Sequence, residues 1–328
     1  MNYIAYILRN PKKLNFRRIK RGLVYKFAHF YSDRKFLETL FPLRVGYKLN
    51  LDNPQTFNEK LQWLKLYDRR PEYTHMVDKM EAKKYVASII GEEYIIPTLE
   101  VYDRAEDIDF DALPNQFVLK CTHDSGGIVI CRDKSKLDRK AVRKKLAKGL
   151  KVNYFYQNRE WPYKNVRPRI IAEQYMSDNG GRVIDDKVHS FNGITETYGA
   201  SDELSDYKWF CFNGKAEFFK IDFGRFVDHH ANYYDTNMNM LPFGEADFLP
   251  IPDAPIRIPD TISKMLAMAE KLSSGIPFLR VDFYEVDGRI YFGELTFYPA
   301  SGMGQFAPPQ YDTILGRKIE LPQTFVHA

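Results

Sequence analysis

Two short runs near the C-terminus carry the residues best suited to chemistry. In the first, Arg280, Asp282 and Tyr284 alternate with Leu279, Val281 and Phe283; in the second, Glu294 and Thr296 follow Tyr291-Phe292-Gly293. Alternation at period two predicts strands with one chemical face and one core face. Asp287-Gly288 between the runs predicts a hairpin turn. A plain two-residue hairpin would put Asp282 and Glu294 on opposite faces. A three-residue loop with Gly288 left-handed, or a bulge, is needed to bring the two carboxylates together. Two acids flanking one site suit Mg²⁺, which takes one or two carboxylates and fills its shell with waters and phosphate oxygens.

A second candidate is Lys120-Cys121-Thr122-His123-Asp124-Ser125-Gly126-Gly127. Its small residues let backbone N–H groups close on a phosphate, and Lys120 adds a point charge. A third is Glu173-Gln174-Tyr175-Met176, where an apolar strand ends in a polar step that can offer backbone groups to an adenine edge. Ser301-Gly302-Met303-Gly304, after Tyr298-Pro299, can form an oxyanion or carboxylate nest. Asp107-Ile108-Asp109 contains the short Asp-x-Asp pattern of metal-dependent glycosyltransferases. A glycosyltransferase is therefore the alternative reading, although this stretch is expected to solvate a loop.

The frame that must hold these residues reads as mixed. Thr56 lies three residues before Glu59, a capping-box pattern, and Leu61, Trp63, Leu64 and Leu66 continue it as a helix over 53–70. A second helix is expected over 76–90, ended by Gly91. A short edge strand is expected near 99–102 and strands at 117–120 and 127–131. A basic helix over 135–150 and a strand over 170–176 come next. Further strands are expected at 187–192, 207–213 and 216–222, then a Pro-rich connector over 242–259, a helix over 260–273, and strands over 278–286 and 289–296. Irregular alternation of strands and helices predicts an α+β fold rather than a doubly wound sheet.

The 328 residues include 24 Phe, 22 Tyr and only 3 Cys, Cys121, Cys131 and Cys211. Sparse, odd cysteines argue against a disulfide framework and for a reducing, cytoplasmic setting. Residues 1–48 carry twelve Lys and Arg against two acids, Asp33 and Glu38, in a chain whose overall net charge is +5. Such an arm attracts polyanions. Peripheral contact with an anionic membrane at its inner face fits it; nucleic acid is not expected as a partner. The rings among the cations, Tyr3, Tyr6, Phe16, Tyr25, Phe27, Phe30 and Tyr31, suit either an interfacial membrane helix or a helical arm packing its rings on the body. The second is expected.

Taken in order, Lys79, Lys120 with its Gly-rich turn, Ile171-Ala172-Glu173-Gln174-Tyr175-Met176, Arg280-Val281-Asp282 and Gly293-Glu294-Leu295-Thr296-Phe297-Tyr298-Pro299 resemble the ATP-grasp superfamily. More narrowly, Asn53 to Leu61, Asp78-Lys79, Asp206 to Gly214, Tyr234-Asp235 and Gly293 to Pro299 resemble the TupA-like ATP-grasp family of bacterial surface-polysaccharide biosynthesis, over roughly residues 40–310. The resemblance implies two α+β subdomains gripping ATP. Its expected divisions are a basic helical arm over 1–50, a preceding subdomain over 51–114, a lid subdomain over 115–175 and a metal-bearing subdomain over 176–328. It implies ATP and Mg²⁺ as cofactors. Lys79 and Lys120 would contact phosphates, Ser125, Gly126 and Gly127 would form the lid, and Glu173 to Met176 would line the adenine pocket. Asp206 would take ribose hydroxyls and Lys208 a phosphate. Asp282 and Glu294 would hold Mg²⁺, and Arg280 would offset charge on the moving phosphoryl group. Many members place a metal-binding Asn where this chain has Thr296, a weaker neutral ligand. The implied activity joins a carboxylate to an amine through an acyl phosphate. The implied partners are a uronic-acid glycan or sugar nucleotide and an amino acid or small amine. Arg225 and His229, between the nucleotide motifs, and Ser301 and Gly302 are the expected substrate contacts.

Overall fold

The computed structural model describes residues 16–177, 189–191, 194–196, 204–224, 228–254 and 256–323. Arg225, residues 1–15 of the expected arm and the flanks of the strand expected at 187–192 lie outside the described residues.

The chain enters through α1 (Phe16–Lys26) and α2 (Asp33–Arg44). Ser32 starts α2 by accepting the Lys35 N–H at 3.3 Å. Phe36, Leu37, Leu40 and Phe41 of α2 pack with Val24, Ala28, Leu49, Leu51 and Met303 as a separate small core. The arm's rings do not all pack on the body as expected, because Phe16, Phe27 and Phe30 face outward.

The capping box forms at α3 (Phe57–Tyr67): Thr56 Oγ1 accepts the Glu59 N–H at 3.1 Å, and the Glu59 carboxylate accepts the Thr56 N–H at 3.1 Å. The helix expected over 76–90 is instead two, α4 (Glu72–Val77) and α5 (Glu81–Ile90). Asp78 breaks it by drawing the Met80 and Glu81 N–H groups onto its carboxylate, which releases Lys79 from helical geometry.

A small antiparallel sheet follows, built from β1 (Thr98–Tyr102), β2 (Phe117–Cys121), β3 (Ile128–Cys131) and β4 (Ile170–Gln174) in the order β1-β4-β2-β3. The basic helix α6 (Arg139–Gly149) starts at the Asp138 cap and turns Val142 and Leu146 onto this sheet. Tyr102, Ala105, Ile108, Phe110 and Leu113 belong to the same core. The subdomain boundary expected at 114/115 therefore moves upstream of Thr98. The packing reason is simple: β1 pairs with β4, so it cannot belong elsewhere.

Beyond the pair β5 (His189–Phe191) and β6 (Ile194–Glu196), the chain builds a larger antiparallel sheet. Its strands are β7 (Asp206–Phe212), β8 (Lys215–Phe223), β9 (His230–Asp235), and, past β10 (Gly244–Glu245) and α7 (Ile262–Ser273), β11 (Phe278–Val286) and β12 (Arg289–Thr296). Their order is β12-β11-β7-β8-β9. Met265, Ala269 and Leu272 of α7 join Trp209, Phe219, Leu279 and Val281 in the main core. The Pro-rich connector is not wholly irregular, since β10 pairs with β13 (Phe306–Ala307), ahead of α8 (Tyr311–Gly316). The α+β class and the antiparallel pairing agree with the sequence reading. Among the described residues, no helix is long and apolar enough to cross a membrane.

Candidate active site

The β11–β12 hairpin turns on Asp287 and Gly288, both at positive φ (50° and 77°), the signature of a two-residue type I′ turn. From Val286↔Arg289 to Phe283↔Phe292 the register is regular; it then shifts so that Asp282 pairs with Glu294. Of the two devices foreseen, the bulge is used and the three-residue loop is not. Gly293 supplies the extra residue. A Cβ there would stand 3.0 Å from the Asp282 carbonyl oxygen and 3.1 Å from the Tyr284 ring.

The bulge puts both carboxylates on one guanidinium. Arg280 donates to Asp282 at 2.7 and 2.6 Å and to Glu294 at 2.8 Å, and the Thr296 hydroxyl donates to Glu294 at 3.3 Å. On the neighbouring strand Lys208 pairs across from Asp282. Its ammonium contacts Asp206 and stands 3.2 Å from Asp222 and 3.8 Å from Asp282. Burial pushes the Asp282 carboxyl up to about 7, with Arg280 and Lys208 pulling the other way. Burial also acts to raise Glu294, but Arg280, Lys208 and Lys79 prevail and hold it below the usual range. Glu294 is the open member of the pair, 52% exposed against 2% for Asp282.

The opposite wall comes from the small sheet. Lys79 is tied to β2 by its N–H, which donates to the Thr122 carbonyl at 3.0 Å, and its ammonium donates to the Asp124 carbonyl. Burial lowers the Lys79 pKa, opposed by Asp124 and Glu294. Lys120 and Lys83 hold the buried Glu173 carboxylate from two sides, at 2.6 and 2.5 Å. Burial would raise Glu173, yet the two lysines hold it low.

Between the walls lies a cleft of about 340 Å³. Lys79, Lys120, Ser125, Gly126, Gly127, Glu173, Asp206, Lys208 and Glu294 reach it, joined by apolar Met76, Ile96, Ile128 and Phe292. Arg280 and Asp282 do not line it; Arg280 bridges Asp282 to Glu294, which does. Several expected contacts fall elsewhere. Gln174, Tyr175 and Met176 do not line the cleft: Gln174 points to solvent, and the Tyr175 hydroxyl accepts from Arg132 at 3.3 Å. His229 donates to Asp222 at 3.0 Å, one strand beyond the cleft. His230 turns the other way, to Asp228 and the Leu249 carbonyl. Asp107 and Asp109 are used locally, by Arg104 and by the Asp111 and Ala112 N–H groups, so the Asp-x-Asp reading gains no support.

Ser301 and Gly302 sit in a strained turn in which Ala300, Ser301 and Gly302 all have positive φ (47°, 57° and 59°). Buried side chains of α3 pin it. Lys65 donates to the Ser301 carbonyl at 2.7 Å, Gln62 to the Gly302 carbonyl at 2.6 Å, and Ser301 Oγ donates to Glu160 at 2.7 Å. Lys83, Asp222, Lys65 and Glu160 were not singled out from sequence. Lys83 had a signal, since it comes four residues after Lys79 within the helix expected over 76–90. Asp222 also had one, alternating with Lys220 in a strand. Lys65 and Glu160 had none, because only the tertiary fold brings each of them to Ser301.

Among the described residues no three His, Cys, Asp or Glu side chains gather into a self-sufficient metal cage. Asp282 and Glu294, with the Thr296 hydroxyl beside them, form a hard-oxygen half-site. It suits an ion that shares its shell with waters and phosphates, as Mg²⁺ does.

The TupA-like ATP-grasp family model matches residues 59–199 and 195–320. Solved structures that match include D-alanine–D-alanine ligase from Bacillus anthracis complexed with ATP, at 14% identity and TM-score 0.34 over 68% of this chain and 53% of that one. They also include phosphoribosylamine–glycine ligase from Thermotoga maritima, at 16% identity and TM-score 0.37 over 69% and 48%. D-alanine–D-alanine ligase from Helicobacter pylori matches at 11% identity and TM-score 0.40 over 82% and 68%. The chain thus spans about half the length of the first two. No curated protein matches significantly.

Proposed function

This chain belongs to the TupA-like ATP-grasp family and has the ATP-grasp fold, and on that premise we propose that it is an ATP-dependent carboxylate–amine ligase working through an acyl phosphate. One observation carries the reading. Lys79, Lys83 and Lys120 from the small-sheet side face Glu294, whose strand partner is Asp282, across a single cleft that the Ser125–Gly127 turn also lines. The cleft volume falls in the range of small-molecule sites.

The chemistry divides among the walls. Asp282 and Glu294 would hold Mg²⁺, which would supply charge neutralisation to the triphosphate. Lys79 and Lys120 hold the phosphates from the other side. A substrate carboxylate oxygen attacks the γ-phosphorus, and the bond to the β-bridging oxygen breaks, releasing ADP. Arg280 offsets the charge that develops on the phosphoryl oxygens. The amine nitrogen then attacks the acyl carbon, loses a proton, and phosphate departs. The Ser125–Gly127 turn shields the acyl phosphate from water. Asp206 takes the ribose hydroxyls, Lys208 braces the floor among its carboxylates, and apolar Met76, Ile96 and Phe292 offer the adenine a surface.

The acceptor is a hexuronic acid of a surface polysaccharide or its precursor, and the donor amine an amino acid or similar small amine. The family's association with surface polysaccharide supports that class, and the Ser301–Gly302 turn is the surface offered to it. A phosphate-release screen of amines against uronates with ATP and Mg²⁺ tests the proposal. Turnover should need both organic substrates and stop with a chelator while the protein stays folded. Release of phosphate without amide formation, or sugar transfer from a nucleotide sugar without ATP, would refute it.

A further inference from the structure

The basic arm has an outer face that the reaction does not use. Phe16, Ile19 and Leu23 recur at helical spacing along α1, and Phe27 and Phe30 continue the line in the short turn that follows. They are 67%, 36%, 50%, 44% and 86% exposed. Elsewhere among the described residues, large exposed apolar side chains are scattered; here five of the thirteen fall within fifteen positions. The helix spends a different face on the body: Val24, followed by Ala28, packs against α2.

Charge says what covers the stripe. Arg17, Arg18, Lys20, Arg21 and Lys26 accompany it, and no acid occurs before Asp33. Helical spacing sets Lys20 on one flank of the stripe and Lys26 on the other. An acidic glycan would satisfy the cations but leave five apolar side chains in water. A second copy of this chain would meet them with like charge. A bilayer rich in anionic lipid satisfies both at once, with side chains entering the headgroup boundary and cations remaining among the phosphates. We propose that α1 and the turn after it are a peripheral docking surface for an anionic membrane.

Arg159 ties this surface to the rest of the chain. Arg159 donates to the Ala28 carbonyl at 2.5 Å, stands 3.0 Å from Asp33, and lies 4.3 Å over the Phe36 ring. Met303, next to the Ser301–Gly302 turn, is part of the same small core as Val24. Membrane docking does not depend on the ligase reading, and it is tested without substrates.

The experiment is flotation of the full chain with phosphatidylcholine vesicles, with and without about a third phosphatidylglycerol. The wild type should float with anionic vesicles and much less with neutral ones. The variant Phe16→Ser/Leu23→Ser/Phe30→Ser should lose roughly tenfold or more of that binding. Arg17→Gln/Lys20→Gln/Arg21→Gln should lose the preference for anionic lipid. Unchanged thermal melting shows that either variant still folds. Leu23→Cys, labelled with an environment-sensitive dye, is selective because Cys121, Cys131 and Cys211 are buried. Its emission should shift only when anionic vesicles are added. A dye already in an apolar setting without vesicles would mean the stripe is covered by residues 1–15 or a second copy, and would overturn the proposal. So would binding that survives loss of the stripe, the result expected of a purely electrostatic polyanion site.

Discussion

The two walls of the cleft are built on opposite plans. The large-sheet wall is braced: Asp206, Lys208, Asp222, Arg280 and Asp282 are buried in alternating charge, each held by a neighbour across the strands. The small-sheet wall is lightly held: Lys79, Lys83 and Lys120 rest on Glu173 and Asp124 beside a Gly-rich turn. The contrast teaches a division of labour. Strand-borne charges under mutual constraint suit a fixed metal and phosphoryl site, where preorganisation lowers the barrier. Lysines standing next to a glycine turn suit a surface that must open to admit a nucleotide and close over it.

The strongest way to break this comparison is at the braced wall. Asp282→Asn should cut ATP-dependent phosphate release by about 10²- to 10³-fold, as for loss of one preorganised transition-state contact. Circular dichroism should show an intact fold, because Arg280 retains Glu294. Full turnover in this variant would detach the site from the hairpin. The lightly held wall should give a graded answer. Lys120→Met should raise the KM for ATP and lower kcat, measured by steady-state kinetics. Lys83→Met should do less, since Glu173 keeps Lys120 and Asp124 keeps Lys79. Equal damage from both would mean that this wall is as interlocked as the other.

A third variant sharpens the comparison away from the charges. Gly302→Ala places a Cβ 2.8 Å from the Leu61 Cβ at a φ of 59°. It should cost about 1–3 kcal/mol, read as a lower melting temperature. Its kinetic signature should be a higher KM for the carboxylate acceptor with that for ATP unchanged. The smallest effect belongs to Gln174→Ala. Its side chain is exposed, so stability should move by less than about 0.5 kcal/mol and ATP affinity should hold. A clear loss of ATP affinity would place that side chain against the nucleotide rather than in solvent.

Much of this arrangement was legible in the sequence. Period-two alternation around Asp282 and Glu294 marked strands with a chemical face, and the residue count showed that a bulge or longer loop was needed. The capping box at Thr56 and Glu59 is local, so it could be read directly. The break at Asp78 was not, although it decides where Lys79 points. Either a continuous helix or a capped restart satisfies the local pattern there, and contacts to Thr122 and Arg169 select the second. The subdomain boundary failed for a similar reason. Nothing in residues 98–113 says which sheet they join until β1 finds β4.

By itself, the sequence determined the α+β class, the hairpin that carries the acids, the lysine beside the glycine turn and the charge asymmetry of the arm. These depend on spacing along a few residues, where strand and helix periods dictate which side chains share a face. Tertiary structure alone decided that Arg280 grips both acids, that Lys83 and Lys120 share Glu173, that Lys65 and Glu160 support the Ser301 turn, and that the arm's apolar stripe faces outward. Those facts join residues distant in sequence, and only packing in three dimensions fixes which buried charge meets which partner.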